Sequence, residues 1–182
     1  MLATPLVLPD LLSRCAQAVA AADTVQEAAR IAVAARLAPG GKLDSDRLDR
    51  EQFAAHGFAW MKTYVEALRQ MHHWGERLTA AGRFGELETL MVQAAFGEYL
   101  SQLSGGIALS QVEIVRPADL GLDAGALKPF ADENVQTLIA QALAAAGITH
   151  AFAVPGESYL PLLDAMRDVN VRLVTCRHEA AA

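Results

Sequence analysis

A chain of 182 residues that is 53% hydrophobic carries enough apolar material for one ordinary domain with an appendage, which excludes a disordered polypeptide. Its formal charge of -6 is spread evenly and leaves no basic stripe, which excludes nucleic acid and anionic membrane as partners. Two distant cysteines, Cys15 and Cys176, exclude a disulfide framework, and the absence of a signal-peptide pattern and of any apolar run near the roughly 20 residues of a bilayer span points to a cytoplasmic protein.

Residues 1–9 contain Pro5 and Pro9 and read as an extended lead-in to a helix from Asp10 to about Ala21. Asp23 or Thr24 then caps a second helix that stops before Pro39-Gly40-Gly41, so two short alanine-rich helices are predicted. From about Ser45, the residues Phe53, Gly57, Trp60, Met61, Tyr64, Leu68, Met71, Gly75 and Leu78 recur in steps of three and four, the apolar seam of one long helix. Gly82 ends it. A further helix from about Phe84 to Leu103 stops at Gly105-Gly106, and its apolar residues occupy more than one face, as expected of a central helix or of one that covers a dimer surface. The short connection makes these two an αα-hairpin, which the first two helices complete into an up-down bundle over residues 1–110.

Pro117, Gly121, Gly125 and Pro129 punctuate residues 111–130, which are predicted to be a linker. Asp132 then caps a helix through Leu138, Ile139 and Leu143 that Gly147 ends. Two short apolar runs follow, around Ile148 to Val154 and Arg172 to Cys176, with an amphipathic segment between them. Residues 131–182 therefore read as a βαβ unit whose parallel strands present chemistry beyond their carboxyl ends, at Pro155-Gly156-Glu157-Ser158 and Arg177-His178-Glu179. The expected fold class is mainly α: an up-down helical bundle followed by a short C-terminal βαβ unit, a truncated α/β domain.

Other polar and aromatic residues take plainer readings. His72-His73 has no second ligand pair at helical spacing and His56 is remote in sequence, so no metal site is expected. Glu66, Glu98 and Glu113 read as a solvated face, Trp60, Tyr64 and Trp74 as core or interface anchors, His178 as a surface histidine and Cys176 as an inert thiol.

Glu51-Gln52-Phe53-Ala54-Ala55-His56-Gly57-Phe58-Ala59-Trp60, Thr63-Tyr64-Val65-Glu66-Ala67-Leu68-Arg69-Gln70, Phe96-Gly97-Glu98-Tyr99-Leu100 and Glu113-Ile114-Val115-Arg116-Pro117-Ala118-Asp119-Leu120-Gly121 resemble the helical N-terminal extension of bacterial methylsuccinyl-CoA dehydrogenases, flavoproteins of the acyl-CoA dehydrogenase family. This likeness covers roughly residues 1–138. In that family the extension precedes a catalytic flavin domain that is not in this sequence, so no FAD site or catalytic base carries over. The resemblance implies a noncatalytic helical module that associates with an acyl-CoA dehydrogenase core, with FAD on the missing domain.

Thr137-Leu138-Ile139, Ala146-Gly147-Ile148-Thr149-His150, Val154-Pro155-Gly156-Glu157-Ser158, Leu162-Leu163-Asp164-Ala165 and Arg177-His178-Glu179-Ala180-Ala181 are similar to the opening of the pyrimidine-binding domain of thiamine-diphosphate enzymes of the acetolactate synthase type. By position, Glu179 matches the glutamate that contacts the cofactor's aminopyrimidine ring, which implies a catalytic role with Pro155 and Gly156 as cofactor-binding residues. Read without the resemblance, Glu179 is a solvated carboxylate and Pro155-Gly156 a strand end. A carboxyl at a strand end, half buried by apolar neighbours, has a raised pKa and can hold a proton against a ring nitrogen near neutral pH. Gly156 lets the chain turn tightly and approach a ligand closely. The family holds magnesium on a separate domain through a Gly-Asp-Gly run that does not occur here, and its pyrimidine domain normally has about six strands.

Two functional expectations stand side by side. The first is a fragment of a thiamine-diphosphate-dependent lyase or transferase, fused to a helical module and not catalytically complete alone, with a complementary protein domain or a homo-oligomer as partner. The second is the helical association module, which implies that residues 1–125 fold by themselves.

Overall fold

The computed structural model describes residues 7–153 and 160–176. Helix α1 is one unbroken element, Leu11–Leu37, where two short helices are predicted. No glycine or proline interrupts it, and the expected cap residues serve other ends. Asp23 pairs with Arg69 of a neighbouring helix, and the Thr24 hydroxyl donates to the Ala20 carbonyl at 2.9 Å. Its buried stripe, Leu11, Cys15, Ala18, Ala22, Val25, Ala29 and Val33, advances in steps of three and four and is mostly small, which lets other helices approach closely.

The long helix predicted from Ser45 is divided at Glu51 into α2, Ser45–Arg50, and α3, Gln52–Ala80. The Asp44 carboxylate accepts the Arg47 N–H at 2.9 Å and starts α2, which buries no residue, so no core packing holds it in line with α3. Helix α3 turns Ala54, Gly57, Met61, Val65, Leu68 and Gly75 inward. Gly82, at φ +63°, supplies the left-handed turn before α4, Glu86–Gly105, whose Glu88 carboxylate accepts the Gly85 N–H.

Helix α4 buries Val92, Gln93, Phe96, Gly97, Leu100 and Leu103. It lies between α3 on one side and α5, Glu133–Ala145, on the other, which accounts for apolar residues on more than one face. The buried Gln93 accepts the Leu8 N–H at 2.8 Å and pins the lead-in to the bundle. Helix α5 closes the ring by packing back on α1, where Asn134 accepts from Arg14 and donates to Gln17, each at 2.9 Å. The fourth helix of the bundle is therefore α5, in place of a second N-terminal helix.

Between α4 and α5, strands β1 (Ile107–Ala108) and β2 (Ile114–Val115) form a short antiparallel hairpin, and two turns of 3-10 helix follow. This stretch connects the two parts and also enters the core, burying Val115, Leu120, Leu122 and Phe130. The methyls of Val115 sit where a side chain on Gly57 would be, 2.6 Å from an ideal Cβ, so only glycine permits that contact.

The Asp132 carboxylate accepts the Asn134 N–H at 2.9 Å and starts α5. Val135, Leu138 and Ile139 point into the main core, while Ala140 joins a second cluster with Ala165, Met166, Val169 and Val171. One helix thus belongs to both hydrophobic clusters. The second cluster lies under a β-α-β stretch made of β3 (His150–Ala153), α6 (Leu160–Asp168) and β4 (Arg172–Thr175). The architecture is mainly α with a short C-terminal β unit. Among the described residues, no helix is long and apolar enough to cross a membrane.

Candidate functional site

Strands β3 and β4 pair in parallel with His150 opposite Arg172 and Ala153 opposite Thr175. The ladder runs past the formal strands, because Arg172 N–H donates to the Thr149 carbonyl at 2.8 Å and Cys176 N–H to the Ala153 carbonyl at 2.9 Å. Both carboxyl ends therefore finish at one edge, the arrangement in which open α/β sheets carry their chemistry. Pro155, Gly156 and Glu179 lie outside the described residues, as do Glu157, Ser158 and His178. What the register brings together is the pair of strand ends, Ala153 and Thr175, from which those segments continue.

Alternation decides which side of this pair is covered. Ala151 packs against the second cluster, whereas His150 and Phe152 are exposed, Phe152 by 57%. A cleft of about 710 Å³ lies where α4, α5 and α6 meet, lined by Leu127, Phe130, Ile139, Leu143 and Leu162, with Lys128 as its charged residue. A second, of about 590 Å³, opens beside α6 and β4 and is bordered by Asp164, Arg167 and Arg172. Asp164 and Arg167 pair at 3.0 Å but are largely solvated, so the pair contributes little to stability.

On the bundle, Trp60 donates to His56 Nε2 at 2.9 Å and meets Tyr64 edge to face, and Tyr64 stacks on Tyr99 at 4.5 Å between centroids. The Tyr64 hydroxyl donates to Gln102 at 3.0 Å. Burial raises the pKa of that phenol above its ordinary value, with Tyr99 and Glu98 adding to it. This is an anchor between α3 and α4, and it occupies the imidazole of His56.

His72 and His73, for which the sequence suggests no metal site, have a third neighbour that the sequence reading leaves out, Glu76. The ligating atoms of His72, His73 and Glu76 all lie within 4.8 Å of one another. Glu76 is four residues after His72 and so lies on the same helical face, a spacing that the sequence displays.

The two thiols differ sharply. Cys15 is fully buried, and burial pushes its pKa up from 9.0 to about 12, whereas Cys176 is half-buried at the end of β4. In the unfolded chain the Cys15 thiol ionises above 9.0 while the folded chain keeps its proton, so the unfolded state binds fewer protons and stability falls as pH rises from 9.0 to about 12. Below 9.0 that contribution is fully present. Denaturant melts from pH 8 to 11 should show a loss approaching ~1.4 kcal/mol per pH unit that is clearly smaller in Cys15→Ala, where the raised pKa of Tyr64 still contributes. A slope identical in the variant would refute the assignment.

Residues 133–182 match the model of the family described as "Thiamine pyrophosphate enzyme, N-terminal TPP binding domain". The chain is also 48% identical over 119 residues to the (2S)-methylsuccinyl-CoA dehydrogenase of Cereibacter sphaeroides, an alignment taking in 65% of this chain and 22% of that protein. The chain thus spans less than a quarter of the curated relative's length. Both resemblances drawn from the sequence are matched, and the first match begins at the opening residue of α5.

Proposed function

We propose that this chain carries the opening strand-helix-strand of a thiamine-diphosphate-binding domain on a helical module, and that it forms a cofactor site only with a complementary domain. The observation that supports this is the parallel, in-register pairing of β3 and β4 within the matched residues, which ends both strands at one edge. Glu179 follows β4 in sequence, and Pro155 and Gly156 follow β3. In this reading Glu179 holds a proton at its carboxyl oxygen and presents it to the cofactor's ring nitrogen, while Pro155 and Gly156 flank the same site. The cofactor, when bound, supplies the nucleophilic carbon of a lyase or transferase reaction. Magnesium and the diphosphate belong to the complementary domain.

Titrating thiamine diphosphate with magnesium chloride into the isolated chain is expected to give no saturable heat tighter than roughly 0.1 mM. Submicromolar binding would refute the reading, because it would mean that the site is complete within one chain.

A second reading has its own support in the 48% identity to methylsuccinyl-CoA dehydrogenase. The helical part would then act as a noncatalytic module associating with an acyl-CoA dehydrogenase core that carries FAD. Its half-exposed aromatic row and the exposed Leu87 and Met91 of α4 suit such an association.

A further inference from the structure

We propose that His72, His73 and Glu76 form a binding site for one divalent transition-metal ion on α3. Three observations carry it. The ligating atoms of the three side chains all lie within 4.8 Å of one another, although His72 and His73 are sequence neighbours whose side chains would ordinarily diverge around the helix. Their ring centroids are 5.9 Å apart.

The second observation is the spacing of the pair one helical turn apart. His72 Nδ1 and Glu76 Oε2 are separated by 3.7 Å, too far for a hydrogen bond. Two donors bound to one tetrahedral zinc at about 2.1 Å each stand about 3.4 Å apart. The gap is thus close to that of two ligands sharing an ion, and with the whole set within 4.8 Å the exposed His73 and Glu76 side chains rotate inward to close the difference. Glu76 is free to do so, being 56% exposed and holding no other ion pair among the described residues.

The third observation is the unequal burial of the set. The His72 side chain is only 14% exposed, so packing fixes the ring before any ion arrives. Exposed His73 and Glu76 then close on the ion from the solvent side. Two imidazoles and one carboxylate select a borderline cation such as zinc, cobalt or nickel over magnesium or calcium, which take oxygen ligands. With three donors from one helix, a tetrahedral ion keeps a fourth position for water or for a donor from another molecule.

The site is tested by titrating zinc chloride into the untagged full chain by calorimetry, and by following cobalt(II) absorption in the visible range. One ion per chain is expected, with Kd in the micromolar range and a cobalt spectrum of tetrahedral intensity. His72→Ala, His73→Ala and Glu76→Ala should each weaken binding at least ~10-fold. The His73 and Glu76 variants alter exposed side chains and keep the test decisive if His72→Ala fails to fold. Absence of saturable zinc binding overturns the proposal. So does binding that the His73 and Glu76 variants leave unchanged, which would assign the ion to other histidines.

Discussion

Gly97→Ala is expected to destabilise the whole chain by roughly 2 kcal/mol, although alanine is the better helix former by up to about 1 kcal/mol. A Cβ at position 97 would stand 2.3 Å from the Ala142 Cβ and 2.6 Å from the Leu138 carbonyl oxygen. The second contact decides the sign. A flexible side chain could swing aside, but the carbonyl is part of the α5 backbone, so α4 and α5 must separate along a fully buried seam that includes Phe96 and Leu138. Overpacking of this kind costs about 1–3 kcal/mol and exceeds the gain in propensity. The midpoint of thermal unfolding should drop by roughly 4–8 °C, and Gly97→Leu should cost more. Gly105→Ala is the control on the same helix, because nothing lies within 4 Å of its Cβ position, and it should change stability by less than about 0.5 kcal/mol. A Gly97→Ala protein that melts at or above the parent temperature would remove the close α4–α5 contact from the account of this fold.

That contact shows where a sequence stops being readable. The step-of-three-and-four recurrence in α3 and the Asp132 cap of α5 are local, and each led to a helix that is present. Gly97 carries no such mark, because its reason is Ala142 and Leu138, which approach only once two helices have packed. The break predicted near Asp23 failed for a related reason. An Asp-Thr pair looks like a cap in isolation, yet Asp23 lies mid-helix, where it pairs with Arg69 of α3 while the buried stripe of α1 runs on through Ala22 and Val25. Partner choice was equally hidden: Val135, Leu138 and Ile139 announce an apolar face without saying that the bundle, and not the strands that follow, will cover it. The parallel strand pair was legible from two short apolar runs around an amphipathic segment. Glu179, Pro155 and Gly156 were reached through resemblance and strand-end logic, and they fall outside the described residues. The i,i+4 spacing of His72 and Glu76 was legible, but that the adjacent His73 joins them was not, because neighbouring side chains on a helix point about 100° apart.

A fragment of residues 1–147 is expected to melt in one cooperative transition near that of the full chain, while residues 1–125 are not, contrary to the independent folding of 1–125 that the association-module resemblance implies. The difference is α5. Its Val135 and Leu138 are fully buried and Ile139 is 6% exposed, all in the main core, on a helix that packs on α1 and α4. Burial of three such side chains contributes roughly 5–9 kcal/mol, comparable with the 5–15 kcal/mol that holds an ordinary domain together. Ending at residue 125 removes that face, uncovers the α4 surface around Phe96 and Leu100, and also removes buried Phe130. The peptide of residues 133–182 faces the opposite shortage. Its own cluster is Ala140, Ala165, Met166, Val169 and Val171, two of them alanines. Against about 1–2 kcal/mol of ordering cost per residue, so small a cluster leaves a two-stranded unit unfolded until α5 is seated in the bundle. Circular dichroism of the three pieces should give cooperative melting for 1–147 and a coil spectrum for 133–182. If 1–125 melted at the same temperature as 1–147, or if 133–182 folded alone, α5 would belong to one part of the chain only. Otherwise the match to the thiamine-diphosphate family begins on the very helix that the bundle requires, and no cut between residues 126 and 145 separates the two parts without unfolding one of them.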